Sequence, residues 1–144
     1  MPTVTRTFPV RPAPAAVIDY LKDFANAEEW DPGTQKCTRT DSGPIAVGAT
    51  WHNESKIAGI STELDYTLEQ LTSDTIVLVG RNETATSTDT ITVRPNGSGS
   101  EVTYHAEIDM HGLTKLAAPA VKIIFEKVGN DTVKQMTEAL DKRL

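Results

Sequence analysis

The side chains best suited to chemistry in this chain are a carboxylate, two phenols and a histidine. Residues 85–93 alternate, and Ile91 and Val93 fix an inward-facing set that carries Ala85, Ser87 and Asp89 with it. A carboxyl group buried without a cation is driven toward its neutral form, which makes it a general acid near neutral pH. The plainer alternative leaves Asp89 near the open end of its strand, solvated or paired with Arg6. His111 stands two residues after Asp109 and directly before Gly112, where a strand turns toward a helix. An imidazole there either exchanges protons as acid or base, or is an ordinary surface histidine. Tyr66 and Tyr104 combine an apolar ring with a phenol tip, which suits them equally to orienting the polar group of a greasy molecule and to core packing.

Composition narrows the alternatives. With 14 Lys+Arg against 20 Asp+Glu, the 144-residue chain carries a formal net charge of -6. That disfavours nucleic acid and anionic lipid surfaces as partners, since both are held by clustered lysine and arginine. Cys37 is the only cysteine, so an internal disulfide and a multi-cysteine metal site are excluded. The three histidines lack the i, i+4 or paired spacing of a metal site, and His52 and His105 fall on solvent-facing strand sides. No metal and no cofactor is expected. Gly97-Ser98-Gly99 joins two strands and opens no helix, so it reads as a hairpin tip rather than a phosphate loop. A Gly-x-Ser-x-Gly elbow is absent, which removes an α/β-hydrolase serine mechanism. No apolar run approaches the roughly eighteen residues of a membrane span, and MPTVTRTFPV has no charged-then-apolar secretory profile. The expected location is cytoplasmic, as monomer or homodimer.

These residues need elements to hold them. Val4, Phe8 and Val10 alternate with threonines over 3–10, a half-buried strand with Arg6 on its apolar side. Arg11-Pro12-Ala13-Pro14 ends it, and Pro14 opens a helix, where its missing N–H would be unpaired in any case. Val17, Tyr20, Leu21 and Phe24 give that helix its apolar stripe. A second short turn, Ala27-Glu28-Glu29-Trp30, is capped by Asn26 and stopped by Asp31-Pro32-Gly33. Trp30 either caps one end of a cavity or locks the two short helices together. From Gly33 to Met110, turn signals at Ser42-Gly43-Pro44, Ala58-Gly59, Thr72-Ser73-Asp74 and Asn96-Gly97-Ser98-Gly99 divide a β-branched stretch into about six strands of a meander.

Within that meander, Val102, Tyr104, Ala106, Ile108 and Met110 share one strand face, and Leu64, Tyr66 and Leu68 share another. On 49–57, Trp51, Asn53, Ser55 and Ile57 point inward, because His52, Glu54 and Lys56 then share the wet side. Beyond Met110 a stripe of Leu113, Ala117, Ala120, Ile124, Val128, Met136, Leu140 and Leu144, thickened by Leu116, Ile123 and Phe125, predicts a main helix of about 25 residues behind a break at Pro119. Gly129 inside it marks a kink or a close-packing point. The fold class is α+β: a curved antiparallel sheet of about seven strands wrapped round a long C-terminal helix, with two short helices between the first and second strands, in one domain over residues 1–144.

Pro14 opening a helix, the segment Asn26-Ala27-Glu28-Glu29-Trp30-Asp31-Pro32-Gly33, the Gly43-Pro44 and Gly48 turns before Trp51, and the closing amphipathic helix together resemble the START-related, birch-pollen-allergen-like helix-grip superfamily (SRPBCC), in its polyketide cyclase/dehydrase-like branch. The resemblance spans essentially the whole chain. It implies a hydrophobic cavity between sheet and long helix. It implies no catalytic set, because members range over lipid carriers, plant hormone receptors and aromatase/cyclases. Trp51, Asn53, Ser55, Tyr66, Asp89 and Tyr104, with Ile124 from the helix, are then the expected ligand-binding residues, and Asp89 and His111 the catalytic candidates. Three functions are open: a binding module for a small hydrophobic or aromatic, lipid- or polyketide-like molecule; a cyclase, dehydratase or hydrolase acting in the same cavity; and a stress-related or toxin–antitoxin-like interaction protein. The binding module is favoured, because no acid–base pair converges at a recognisable spacing. A charge placed at Ile124 is expected to prevent folding.

Overall fold

Alternation over 3–10 makes a strand, β1 (Thr3–Val10), with Val4, Phe8 and Val10 buried on one side. A computed structural model describes the backbone of residues 2–111 and 118–143 and the side chains of residues 2–111 and 122–143. After β1 come α1 (Pro14–Leu21), a 3-10 turn at Phe24–Asn26 and α2 (Ala27–Trp30). Six strands follow, β2 (Thr34–Arg39), β3 (Thr50–Ile57), β4 (Ile60–Leu71), β5 (Thr75–Arg81), β6 (Ala85–Asn96) and β7 (Gly99–Met110), and then α3 (Ala118–Asp141). The strands form one curved antiparallel sheet in the order β1-β7-β6-β5-β4-β3-β2. β2 to β7 are a meander, while β1 and β2 lie at opposite edges because the short helices carry the chain across. This is the helix-grip arrangement expected from the sequence.

The opening of α2 departs from expectation. Asn26 already has helical backbone angles, φ -67° and ψ -11°, whereas a capping residue is extended. Its side-chain amide instead donates to the Tyr20 carbonyl at 2.7 Å. Asp23, which is extended, does the capping: its carboxylate accepts from the Ala25 N–H at 3.1 Å at the start of the 3-10 turn.

α3 has 24 residues and is about 36 Å long. It begins at Ala118, so Pro119 sits in the first turn, where it removes no helical hydrogen bond. The short turn expected before it, with Leu113, Leu116 and Ala117, lies outside the described residues. The C-terminal half closes the core through Gly129, Thr132, Met136, Ala139 and Leu140, all buried. Gly129 is a close-packing point: a Cβ there would stand 2.5 Å from Val4 Cγ2 on β1. Arg6 ties β1 to the same helix, donating to Glu126 Oε2 at 2.6 Å and to Asn130 Oδ1 at 3.1 Å.

Over residues 122–128 of α3 the described side chains are exposed or half-buried. Ile124, Phe125 and Val128 are half-buried, and Ile123 is 73% exposed. Ile123 therefore does not thicken the buried stripe as expected, since one residue is about 100° of helix rotation and carries it away from the face that Ile124 presents.

Candidate functional site

Gly80 decides where Tyr66 goes. It lies on β5 opposite Tyr66 of β4 on one side and Ser87 of β6 on the other. A Cβ at Gly80 would stand 2.6 Å from the Tyr66 ring. Without one, the ring crosses β5 and its phenol reaches the Ser87 hydroxyl. Asp89 follows two residues along the same face of β6, and the Tyr104 hydroxyl from β7 bonds to its carboxyl group.

Asp89 is buried. It is neither at a solvated strand end nor paired with Arg6, which is bound to Glu126 instead. Loss of solvent pushes its carboxyl up to about 8; the Asp31 charge adds to the rise and the Tyr104 bond opposes it. Burial also raises Tyr66 and Tyr104 well above the ordinary phenol range, and the charge on Asp89 raises both further. Both rings are in the core, at 7% and 5% exposure.

A second carboxyl, Asp31, belongs to this region and was legible in the sequence only as part of a helix stop. Its Oδ2 accepts from the Thr34 hydroxyl at 2.6 Å and its Oδ1 from the Gly33 N–H at 3.4 Å. Burial nevertheless holds its carboxyl above the usual range. Asn53 Nδ2 donates to Thr34 Oγ1 at 3.0 Å, and Ser55 Oγ donates to Asn53 Oδ1 at 2.5 Å. The two polar handles expected on β3 thus form a hydrogen-bonded line that ends on Asp31. Cys37, beside Asn53, is buried, and its thiol is pushed up to about 12 chiefly by burial, so it is no thiolate nucleophile.

Aromatic rings surround these polar groups. Phe24 sits 4.4 Å from Tyr66, 6.1 Å from Trp30 and 6.2 Å from Trp51, centroid to centroid. Trp30 meets Tyr104 edge-on at 6.0 Å. It thereby does two things, locking the short-helix segment through Phe24 and facing the sheet through Tyr104. Trp51 is fully buried and donates from Nε1 to Asp23 Oδ1 at 3.2 Å. Trp30 is fully buried as well, yet among the described residues its Nε1 has no hydrogen-bond partner.

His111 is not brought to this group. Its ring is exposed and its Nε2 lies 3.2 Å from Thr86 Oγ1. Thr86 alternates with Ala85 and Ser87 and so belongs to the opposite side of β6 from Asp89. The surface alternative describes it: His111 follows Met110, the partner of Ala85, and so shares the outward parity of Asp109 opposite Thr86. On the outer face, His52, Glu54 and Glu63 hold ligand atoms within 4.8 Å of one another. The two nitrogens of His52 already meet Asp65 and Glu63 at 2.7 Å each.

Between α3 and the β3–β4 hairpin lies an open crevice of about 240 Å³, lined by Pro32, Gly33, Ile57, Ala58, Ile124 and Val128 among others. Of the expected ligand-binding residues, Ile124 lines this crevice. Trp51, Asn53, Tyr66, Asp89 and Tyr104 are buried on the concave face of the sheet.

The family described as polyketide cyclase / dehydrase and lipid transport matches residues 1–144 of this chain. No curated protein matches it in sequence. A protein from Thermus thermophilus superposes with a TM-score of 0.83 at 12% identity, over 99% of both chains. A START superfamily protein from Mycobacterium smegmatis does so with a TM-score of 0.82 at 12% identity, again over 99% of both. The Zhui aromatase/cyclase from a Streptomyces species gives a TM-score of 0.74 at 11% identity, over 98% of this chain and 92% of that one. At such identities the likeness is one of fold. In the described residues no helix is long and apolar enough to cross a membrane.

Proposed function

The chain belongs to the polyketide cyclase / dehydrase and lipid transport family, and from that premise we propose that it binds a small hydrophobic or aromatic molecule between the sheet and α3. The observation that carries this reading is the uneven closure of α3. Met136, Ala139 and Leu140 are buried, whereas Ile124 and Val128 are half-buried and border the crevice opposite Ile57. Apolar side chains held open to solvent at the sheet–helix seam are an entrance that a greasy molecule fills favourably, at about 25 cal/mol per Å² of apolar surface covered. The crevice volume of about 240 Å³ falls just under the roughly 300 Å³ at which small-molecule sites begin. That size favours a compact one- or two-ring compound over a long lipid chain. Native mass spectrometry of freshly purified protein, with titration of a fluorescent apolar probe, tests the reading. One-site saturation and displacement by aromatic compounds are expected; absence of saturable binding overturns it.

Asp89 supports an enzymatic second reading. A carboxyl group that keeps its proton near neutral pH beside the Tyr104 phenol is equipped to donate that proton to a carbonyl or leaving oxygen. Under that reading Asp89→Asn lowers turnover by about 10²–10⁴ with much smaller change in affinity. Under pure carriage it leaves the binding of neutral compounds within about tenfold.

A further inference from the structure

We propose that the outer face of the β3–β4 hairpin binds a divalent metal ion of the zinc class, with His52, Glu54 and Glu63 as ligands and Asp65 orienting the histidine. The site lies on the opposite side of β3 from Trp51 and Asn53, so it stands independently of the ligand-binding reading.

Strand register makes the site. His52 stands directly opposite Asp65, and Glu54 directly opposite Glu63. Side chains two residues apart share a face, so the four meet at the corners of one patch. One ligand atom from each of His52, Glu54 and Glu63 lies within 4.8 Å of the other two. Donors at about 2.1 Å from a tetrahedral ion stand about 3.4 Å apart, a closure that rotation of two exposed glutamates supplies. The spacing of the histidines along the chain gives no sign of this, because the ligands come from two strands.

Two features beyond proximity select a metal. The first is the orientation of the imidazole: His52 Nδ1 faces Asp65 Oδ1 at 2.7 Å, which turns Nε2 to Glu63 Oε1 at 2.7 Å. A metal-bound histidine is held in this way, its other N–H donated to a carboxylate that fixes ring and tautomer. The second is charge without an answering cation. Glu54 and Glu63 oppose each other across the strands, a like-charge pair that weakens a sheet, and three carboxylates share one imidazole. Arg81, opposite Asp65, is held by Glu69. Lys36, opposite Glu54, and Lys56, two residues along from it, form no ion pair among the described residues. A dication at Nε2 displaces any proton there and joins Glu54 to Glu63, turning their repulsion into a cross-strand link. One imidazole with two carboxylates suits zinc, whereas magnesium and calcium take oxygen ligands.

The test uses the full, untagged chain, freed of metal by chelation and dialysis, with zinc chloride titrated calorimetrically at neutral pH and magnesium chloride for comparison. One zinc ion per chain is expected, and no saturable binding of magnesium. His52→Gln and Glu63→Gln should each weaken zinc binding by about tenfold or more, and Asp65→Asn by about tenfold. His105→Gln and His111→Gln, which alter the remaining histidines, should leave it unchanged. Circular dichroism reports whether each variant is folded; if His52→Gln folds poorly, Glu63→Gln and Asp65→Asn decide by the same criterion. Absence of saturable zinc binding overturns the proposal. So does zinc affinity that survives these substitutions, or magnesium bound as tightly as zinc, which marks a bare acidic patch.

Discussion

Asp89 links the interior to pH. In the folded chain its carboxyl group titrates at about 8, against about 3.9 for an unfolded aspartate. Between those values the folded state holds more protons than the unfolded one, so stability falls as pH rises. The contribution is complete below about pH 4 and is lost progressively as pH climbs through about 8. Asp31 is shifted in the same direction and steepens the fall. Asp89→Asn keeps the shape and removes the charge, so its melting temperature is expected to match the parent near pH 3.5, where the aspartate is protonated in both states, and to exceed it near pH 9. An equal difference at both pH values would show that Asp89 is ionised in the fold. Gly80 is the other decisive single residue. Gly80→Ala puts a methyl group 2.6 Å from the Tyr66 ring, an overpacking expected to cost about 1–3 kcal/mol and to pull the phenol off Ser87. A urea titration indistinguishable from the parent would contradict that geometry.

At the scale of elements, α3 poses a competition between helix propensity and packing. Alanine at 129 would favour the helix by about 1 kcal/mol over glycine. The added Cβ, however, would lie 2.5 Å from Val4 Cγ2, and valine is β-branched and stiff in its strand. Overpacking costs of about 1–3 kcal/mol then outweigh the propensity gain, so Gly129→Ala is expected to lower the denaturation midpoint. A rise would mean that β1 yields. The β3–β4 hairpin offers the opposite case. Ala58 sits at φ +52° in the two-residue turn Ala58-Gly59, a conformation that asparagine adopts more readily than alanine. Ala58→Asn is expected to stabilise by up to about 1 kcal/mol, read as a higher melting temperature, because it relieves backbone strain and removes no buried contact.

For the whole molecule, the consequence of a charge on α3 depends on which half receives it. Met136 is fully buried, so Met136→Asp places a carboxylate in the core at a cost comparable with a total stability of about 5–15 kcal/mol and should prevent folding. Ile124 is half-buried beside the crevice. From the sequence pattern a charge there is expected to abolish folding as well; the structure instead predicts that Ile124→Asp folds, as circular dichroism would report, and loses apolar-probe binding. The amino-acid pattern alone was enough for the strands, because alternation of apolar and polar residues dictates which face is buried. It assigned the inward parity of Trp51, Asn53, Ser55 and Asp89, and the helix-grip order of elements, from local periodicity. Tertiary structure alone decided what those inward residues meet. The charge of Asp31 acts on Asp89 although the two are far apart in sequence, Tyr66 reaches Ser87 only across the bare backbone of Gly80, and His111 turns to Thr86. Periodicity encodes the side a residue faces, whereas the partner it finds there depends on strand register and on how far α3 closes, which are settled by contacts between residues distant in the chain.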